Sequence, residues 1–414
     1  MAFSNIMDSN SYQGGQQDDP LIAARGRMLG PAYRLFYERP VHLVRGQGTL
    51  LYDAEGRDYL DAYNNVASVG HCHPHVVDAV TRQLGMINTH TRYLHEGIVD
   101  YSRRLLASMP EEIDQVMYAC TGSEVNDLAL RVAQTYTGAT GVIITSDAYH
   151  GNTAAVTAIS PSIGGAAAVG AHVRTVAPDL AGVQAAIADL QESGLGVSTL
   201  IVDTIFSSDG IYPDPSVLEP AVAAVRAAGG VFIADEVQPG FGRTGEAMWG
   251  FERHGVVPDL VTMGKPMANG MPVAAMAARS QVLDEFARGI PYFNTFGGNP
   301  VSMAAASAVL DVIEDEKLVA NALEVGTALR EELARLAGTR EEIREVRGAG
   351  LYVGVEVDGR DTARRLVNAM RERRVLISVC GAHGDVLKIR PPMVFSLADV
   401  DRFCTEFEAV LAQL

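Results

Sequence analysis

The 414-residue chain is short of three things, and each shortage closes off a class of protein. Cysteine is scarce: Cys72, Cys120, Cys380 and Cys404 lie far apart with no paired spacing. That leaves no disulfide framework to read and suits reduced thiols in a cytoplasmic protein. Positive charge is scarce as well, since 33 Lys and Arg against 50 Asp and Glu leave a net charge of −17. Such a balance argues against nucleic acid or an anionic membrane as partner, although a local basic pocket still fits inside an acidic protein. Long apolar runs are missing, so no segment is expected to span a bilayer. The first 20 residues are polar and lack the apolar stretch of a signal peptide. No internal repeat is present.

What is there describes an ordinary globular protein, too long for one simple core, so two domains are expected. From Val116 the chain alternates strand and helix. Residues 116–120, 142–145, 172–176, 200–203, 231–234, 260–263 and 272–278 are short apolar runs. Runs of that kind read as strands buried on both faces, as in a parallel sheet. Between the first two, Val125, Leu128, Ala129, Val132 and Ala133 make the stripe of a helix lying on that sheet. Another helix is predicted over 217–228. The fold class is therefore α/β, with a doubly wound, mainly parallel sheet.

Either side of this region the pattern differs. Residues 41–60 read as a hairpin turning at Gly46-Gln47-Gly48. After residue 300 a long Ala-rich helical section runs to about 338. Strands at 351–357, 375–379 and 386–389 follow, with helices at 362–373 and 398–414, which is a smaller α+β unit. The expected division is 1–60 as a mobile N-terminal arm and part of the small domain, 61–300 as the large domain, and 301–414 as the C-terminal small domain.

The chemistry concentrates between Gly229 and Gly270. One apolar run ends on Asp235 and Glu236; a glycine-rich loop, Gln238 to Gly245, follows; a second run delivers Gly264-Lys265-Pro266. A carboxylate and a lysine at neighbouring strand ends lie where open α/β sheets bind ligands. The bland reading is a structural ion pair. The sharper one is a desolvated, Schiff-base-forming lysine with a carboxylate for a ring nitrogen, the constellation pyridoxal phosphate requires. Gly122 and Ser123 open the striped helix, where backbone N–H groups and the helix dipole suit a phosphate. Tyr149 and His150 follow another strand. His71, Cys72, His73 and His75 crowd one loop but lack the two-arm spacing of a zinc site, so no metal is expected.

Together these motifs resemble the class-III, fold-type-I family of pyridoxal-phosphate-dependent aminotransferases, over nearly the whole chain from about Gly30. The run Asp235-Glu236-Val237-Gln238 through Gly240-Phe241-Gly242-Arg243-Thr244-Gly245, with Gly264-Lys265 after it, carries the likeness. The resemblance implies that Lys265 and Asp235 are catalytic, Lys265 bonding the cofactor and Asp235 facing its ring nitrogen. It implies Val237 under the ring, Gln238 near the ring hydroxyl, Tyr149 on the other face with His150 beside it, and Gly122 and Ser123 at the phosphate. Thr295 matches a threonine that reaches the neighbouring subunit's cofactor. A homodimer or dimer of dimers with active sites at the interface is implied.

Two departures bear on the reaction. Where many family members carry an arginine this chain has Lys388, and its arginine is Arg390, directly before Pro391-Pro392. The position of the glutamate that gates dual-substrate members reads Ser208. Residues 64–74, 91–101 and 292–300 are similar to the ethanolamine-phosphate phospho-lyase branch. Asn65, Lys388 and Arg390 are the candidate substrate contacts, with Arg390 expected to be the main one because its fork matches carboxylate or phosphate. The first expectation is an aminotransferase moving an amino group between an amine or ω-amino acid and a keto acid, the commoner activity of the family. The alternative is a lyase eliminating phosphate from an amino-alcohol phosphate such as phosphoethanolamine.

Overall fold

In the computed structural model the described residues are 19–164, 169–212 and 214–413. Most of the expected N-terminal arm lies outside them. Asp19 opens the described chain and caps a helix, Pro20–Leu29, by accepting from the N–H groups of Leu21 and Ile22.

The apolar runs build a seven-stranded sheet. Three earlier strands belong elsewhere: β1 (Leu43–Gln47), β2 (Leu50–Asp53) and β3 (Asp58–Asp61). Then come β4 (Gln115–Ala119), β5 (Gly141–Thr145), β6 (Val173–Val176), β7 (Val197–Asp203), β8 (Val231–Asp235), β9 (Leu260–Met263) and β10 (Ala274–Ala278). Their order is β4-β10-β9-β8-β7-β5-β6, with β10 antiparallel to both its neighbours and the remaining pairs parallel. Every residue of β5, β8, β9 and β10 is buried, which is why these strands read as unbroken apolar runs and not as alternations. The helix Gly122–Thr137 lays its stripe on this sheet. The valines and leucine of that stripe, withdrawn from water, contribute about 1.5–3 kcal/mol each.

The chain's two ends meet in the remaining sheets. β1, β2 and β3 form the expected hairpin region and are joined by β13 (Val375–Leu376), which pairs parallel with β3. A second four-stranded sheet has the order β11-β12-β15-β14, from β11 (Ile343–Ala349), β12 (Tyr352–Val357), β14 (Ser378–Cys380) and β15 (Val386–Ile389). β11 escaped the sequence reading because only its first residue and last three are buried and charge fills the middle. The Ala-rich section is two helices, Pro300–Asp315 and Leu318–Ala337, broken at Lys317, whose φ of 54° lies in the left-handed region.

Candidate active site

Strand register brings the chemistry to one edge. Asp235, the last residue of β8, pairs with Asp203 of β7 on one side and Thr262 of β9 on the other, and Lys265 lies just beyond β9. Strand β4 runs in the same direction, so Thr121, Gly122 and Ser123 emerge there too. Thr121 caps the helix by accepting from the Glu124 N–H at 3.2 Å, and the Glu124 carboxylate accepts from the Cys120 N–H at 3.0 Å. Losing such a cap costs about 1 kcal/mol. The loop after β5 presses against this helix start: Gly151 has φ of +138°, and a Cβ on it would sit 2.7 Å from Ser123 Cα. Only glycine fits there.

A cavity of about 280 Å³ opens at this edge, lined among others by Gly122, Ser123, Tyr149, His150, Asp235, Val237, Gln238 and Lys265. Asp235 is held by three donors. Asn126 Nδ2 gives it a 3.0 Å hydrogen bond, the Val237 N–H another of 3.0 Å, and His150 Nδ1 lies 2.7 Å from its Oδ2. Asn126 is in turn oriented by Thr262, whose hydroxyl donates to its Oδ1 at 2.6 Å. His150 Nε2 is buried with no hydrogen-bond partner among the described residues. Glu236 points the other way, as the next residue on a strand does. It accepts from Thr204 and from the N–H groups of Gly250 and Phe251, and burial pushes its carboxyl up to about 8, so it serves the fold.

Tyr149, Gln238 and Lys265 also line a second lobe of about 180 Å³, walled by Phe36, Tyr63, Ser208, Ser378, Val379, Cys380, Lys388 and Arg390. Lys265 thus stands where the lobes meet. Burial lowers its pKa to about 8, and the nearby Arg390 charge adds to the shift. Lys388 and Arg390, two apart and flanking the end of β15, do face one side as alternation requires. Lys388 donates to the Ser207 carbonyl at 2.8 Å, and its ammonium lies 5.7 Å from the centre of the Tyr352 ring. Arg390 donates to Gln238 Oε1 at 2.6 Å and its guanidinium lies 4.6 Å from the Tyr63 ring centre. Neither makes an ion pair among the described residues, and Arg390 Nε has no hydrogen-bond partner there. Asp203 is turned away onto its own loop, accepting from the Ser207 hydroxyl and the Ile205 N–H.

Other expected residues fall elsewhere. Asn65 walls neither lobe; it is buried behind Gln238 and donates to its Oε1 at 2.6 Å, so it orients Gln238. Thr295 is exposed on the loop before the helix Pro300–Asp315 and lines neither lobe. His71 meets Asp61 of β3, and His73 and His75 meet Glu316 and Asp311 at the C-terminal part of the helix Pro300–Asp315. They tie the loop down instead of facing the cavity. Asn126, Tyr63, Phe36 and Tyr352 were missed. Of these only Asn126 left a signal, a polar residue beside the apolar stripe of its helix.

The family model described as aminotransferase class-III matches residues 36–411. The chain belongs to the class-III aminotransferase family. It is 40% identical to an "Alanine--glyoxylate aminotransferase 2-like" protein of Drosophila melanogaster, over 94% of this chain and 86% of the relative. It is 32% identical to "Ethanolamine-phosphate phospho-lyase homolog 1" of Caenorhabditis elegans, over 95% of this chain and 93% of that one. Among solved structures it superposes with a TM-score of 0.92 on a phospholyase from Arthrobacter in complex with phosphoethanolamine, at 43% identity, covering 95% of this chain and 100% of that one. Class-III aminotransferases share the fold-type-I architecture and use pyridoxal phosphate. The donor set here fits that cofactor: a helix start suited to phosphate, a buried carboxylate facing the cavity, and an enclosed amine of lowered pKa.

Proposed function

We propose that this protein eliminates phosphate from a small phosphorylated amino alcohol. The observation carrying this reading is the pair of buried cations, Lys388 and Arg390, whose hydrogen-bond partners are all neutral. Asp203 lies near enough for the Lys388 charge to act on it, yet neither cation has an ion-pair partner among the described residues, and two buried cations so placed favour an anion between them. A phosphate dianion matches both, whereas a carboxylate matches one. The wider family alone would put amine transfer first. The neutral hydrogen-bond partners of these cations, the serine at position 208 and the likeness to a phospholyase favour elimination.

When bound, pyridoxal phosphate supplies the electron sink that makes the amine-bearing carbon acidic. Gly122 and Ser123 would hold its phosphate, Val237 and Tyr149 its ring faces, and Asp235, steadied by Asn126 and His150, its ring nitrogen. The freed Lys265 amine takes the proton from the amine-bearing carbon. Lys388 and Arg390 hold the phosphate as it leaves the adjacent carbon with the electron pair of the C–O bond. With one water the products are phosphate, ammonia and an aldehyde.

The test is to incubate the holoenzyme with phosphoethanolamine alone. Steady release of inorganic phosphate and acetaldehyde without any keto acid is expected. Amine transfer to glyoxylate or pyruvate with no phosphate release would overturn the reading.

Lys265 predicts a pH dependence. Its pKa is lowered to about 8, and only the neutral amine attacks an aldehyde. Covalent loading of pyridoxal phosphate onto the apoprotein should therefore speed up as pH rises through about 8 and then level off. A loading rate, followed by absorbance, that climbs unchanged to pH 10 would show an ordinary lysine.

A further inference from the structure

Arg243 sits in the glycine-rich loop after β8, yet it lines neither lobe of the cavity. It is only 1% exposed, and no carboxylate pairs with it among the described residues. Its Nη1 donates to two carbonyls, Leu351 at 3.1 Å and Pro391 at 2.7 Å, and Nη2 has no partner there. Its own carbonyl accepts from the Leu351 N–H at 3.1 Å. The approach is close: Gly350, with φ of +50°, would put a Cβ 2.6 Å from the Thr244 carbonyl oxygen. Burial lowers the guanidinium's pKa to about 10 and the Arg390 charge adds to the shift, while Tyr352 and the Asp61 carboxylate offset only part of it. A charge this poorly compensated is a liability for the fold alone, where an apolar side chain of similar size would pack at lower cost.

The placement of Pro391 suggests what it does. That carbonyl directly follows Arg390, whose own N–H is tied to the Ala62 carbonyl at 2.9 Å and whose side chain is tied to Gln238. Gln238 and Arg243 belong to the same loop. One loop therefore grips Arg390 by its guanidinium and by the peptide that follows it. We propose that Arg243 is a positioning residue for anion recognition, fixing the Arg390–Pro391 bend so that the Arg390 fork meets the substrate's phosphate. This rests on Arg390 being the anion contact. A lysine at 243 keeps the charge, but its ammonium ends one bond short of Nη1, the single atom that serves both carbonyls.

The probe is inorganic phosphate, titrated calorimetrically into the holoenzyme, so that the cofactor's own phosphate site is already filled. Arg243→Lys should raise the Kd about tenfold, the effect of losing one hydrogen bond from a charged donor. It should raise KM for phosphoethanolamine similarly, hold kcat within about twofold, and leave the cofactor's absorbance unchanged. Arg243→Met should do more; if it does not fold, the lysine variant decides. In an Arg390→Met background, Arg243→Lys should add no further loss, because it acts through Arg390. A lowered melting temperature with unchanged phosphate affinity would make Arg243 merely structural and overturn the inference. If Arg390→Met itself leaves phosphate binding intact, the anion-site reading fails and takes this one with it.

Discussion

Replacing Lys265 with alanine is expected to cut kcat by about four orders of magnitude or more, some 5.5 kcal/mol of barrier. Two functions vanish at once. The side chain stands where the two lobes meet, and in the proposed reaction it would both bond the cofactor and carry the substrate's proton. Its lowered pKa, about 8, makes it a usable base near neutrality, which an exposed lysine is not. The absorbance of covalently held cofactor should disappear with it. A small primary amine in solution should restore part of the activity, because the void left by the side chain opens on the cavity. Turnover near that of the unaltered protein would refute the assignment outright.

Asp235→Asn is expected to slow the proton-removing step by about two to four orders of magnitude while the cofactor still binds. Asparagine keeps the shape but cannot supply a negative charge to a protonated ring nitrogen. The surroundings sharpen the effect. Asn126 Nδ2, the Val237 N–H and His150 Nδ1 all approach the Asp235 oxygens, a donor set built for a carboxylate. An amide there turns its own N–H groups toward some of those donors, which leaves a buried group unpaired. A substrate isotope effect on the transferred proton, measured together with kcat, separates this from general damage. Activity within a factor of a few would remove Asp235 from the mechanism.

How much of this was legible beforehand depends on how local the information is. Strands β8 and β9 and the helix Gly122–Thr137 were readable because burial on both faces, or on one stripe, writes itself into consecutive residues. Strand β11 was not, since the exposed Arg344 and Glu345 and the buried Arg347 break its apolar pattern and it is held by pairing with β12. The break at Lys317 also passed unseen, because one residue turning left-handed leaves the helical pattern on either side intact. Asn65 read as a substrate contact because its neighbours resemble a known loop. Its burial behind Gln238 depends on a partner 173 residues away.

The sequence by itself determined the α/β sheet, the family and hence the cofactor, and it named Asp235 and Lys265 from short motifs at strand ends. Those depend on periodicity and on loops a few residues long, so the chain order carries them. Only the tertiary structure decided what surrounds each charge. Asn126 meets Asp235 across 109 residues, and Arg390 meets Gln238 across 152. Whether Lys388, Arg390 and Arg243 have counter-ions is equally a question of which distant groups share a low-dielectric space. Electrostatic cost is set by that space and not by neighbours in sequence. That is why both readings of the reaction stood open in the sequence, and why the proposed choice between them rests on two buried cations that have no ion-pair partner among the described residues.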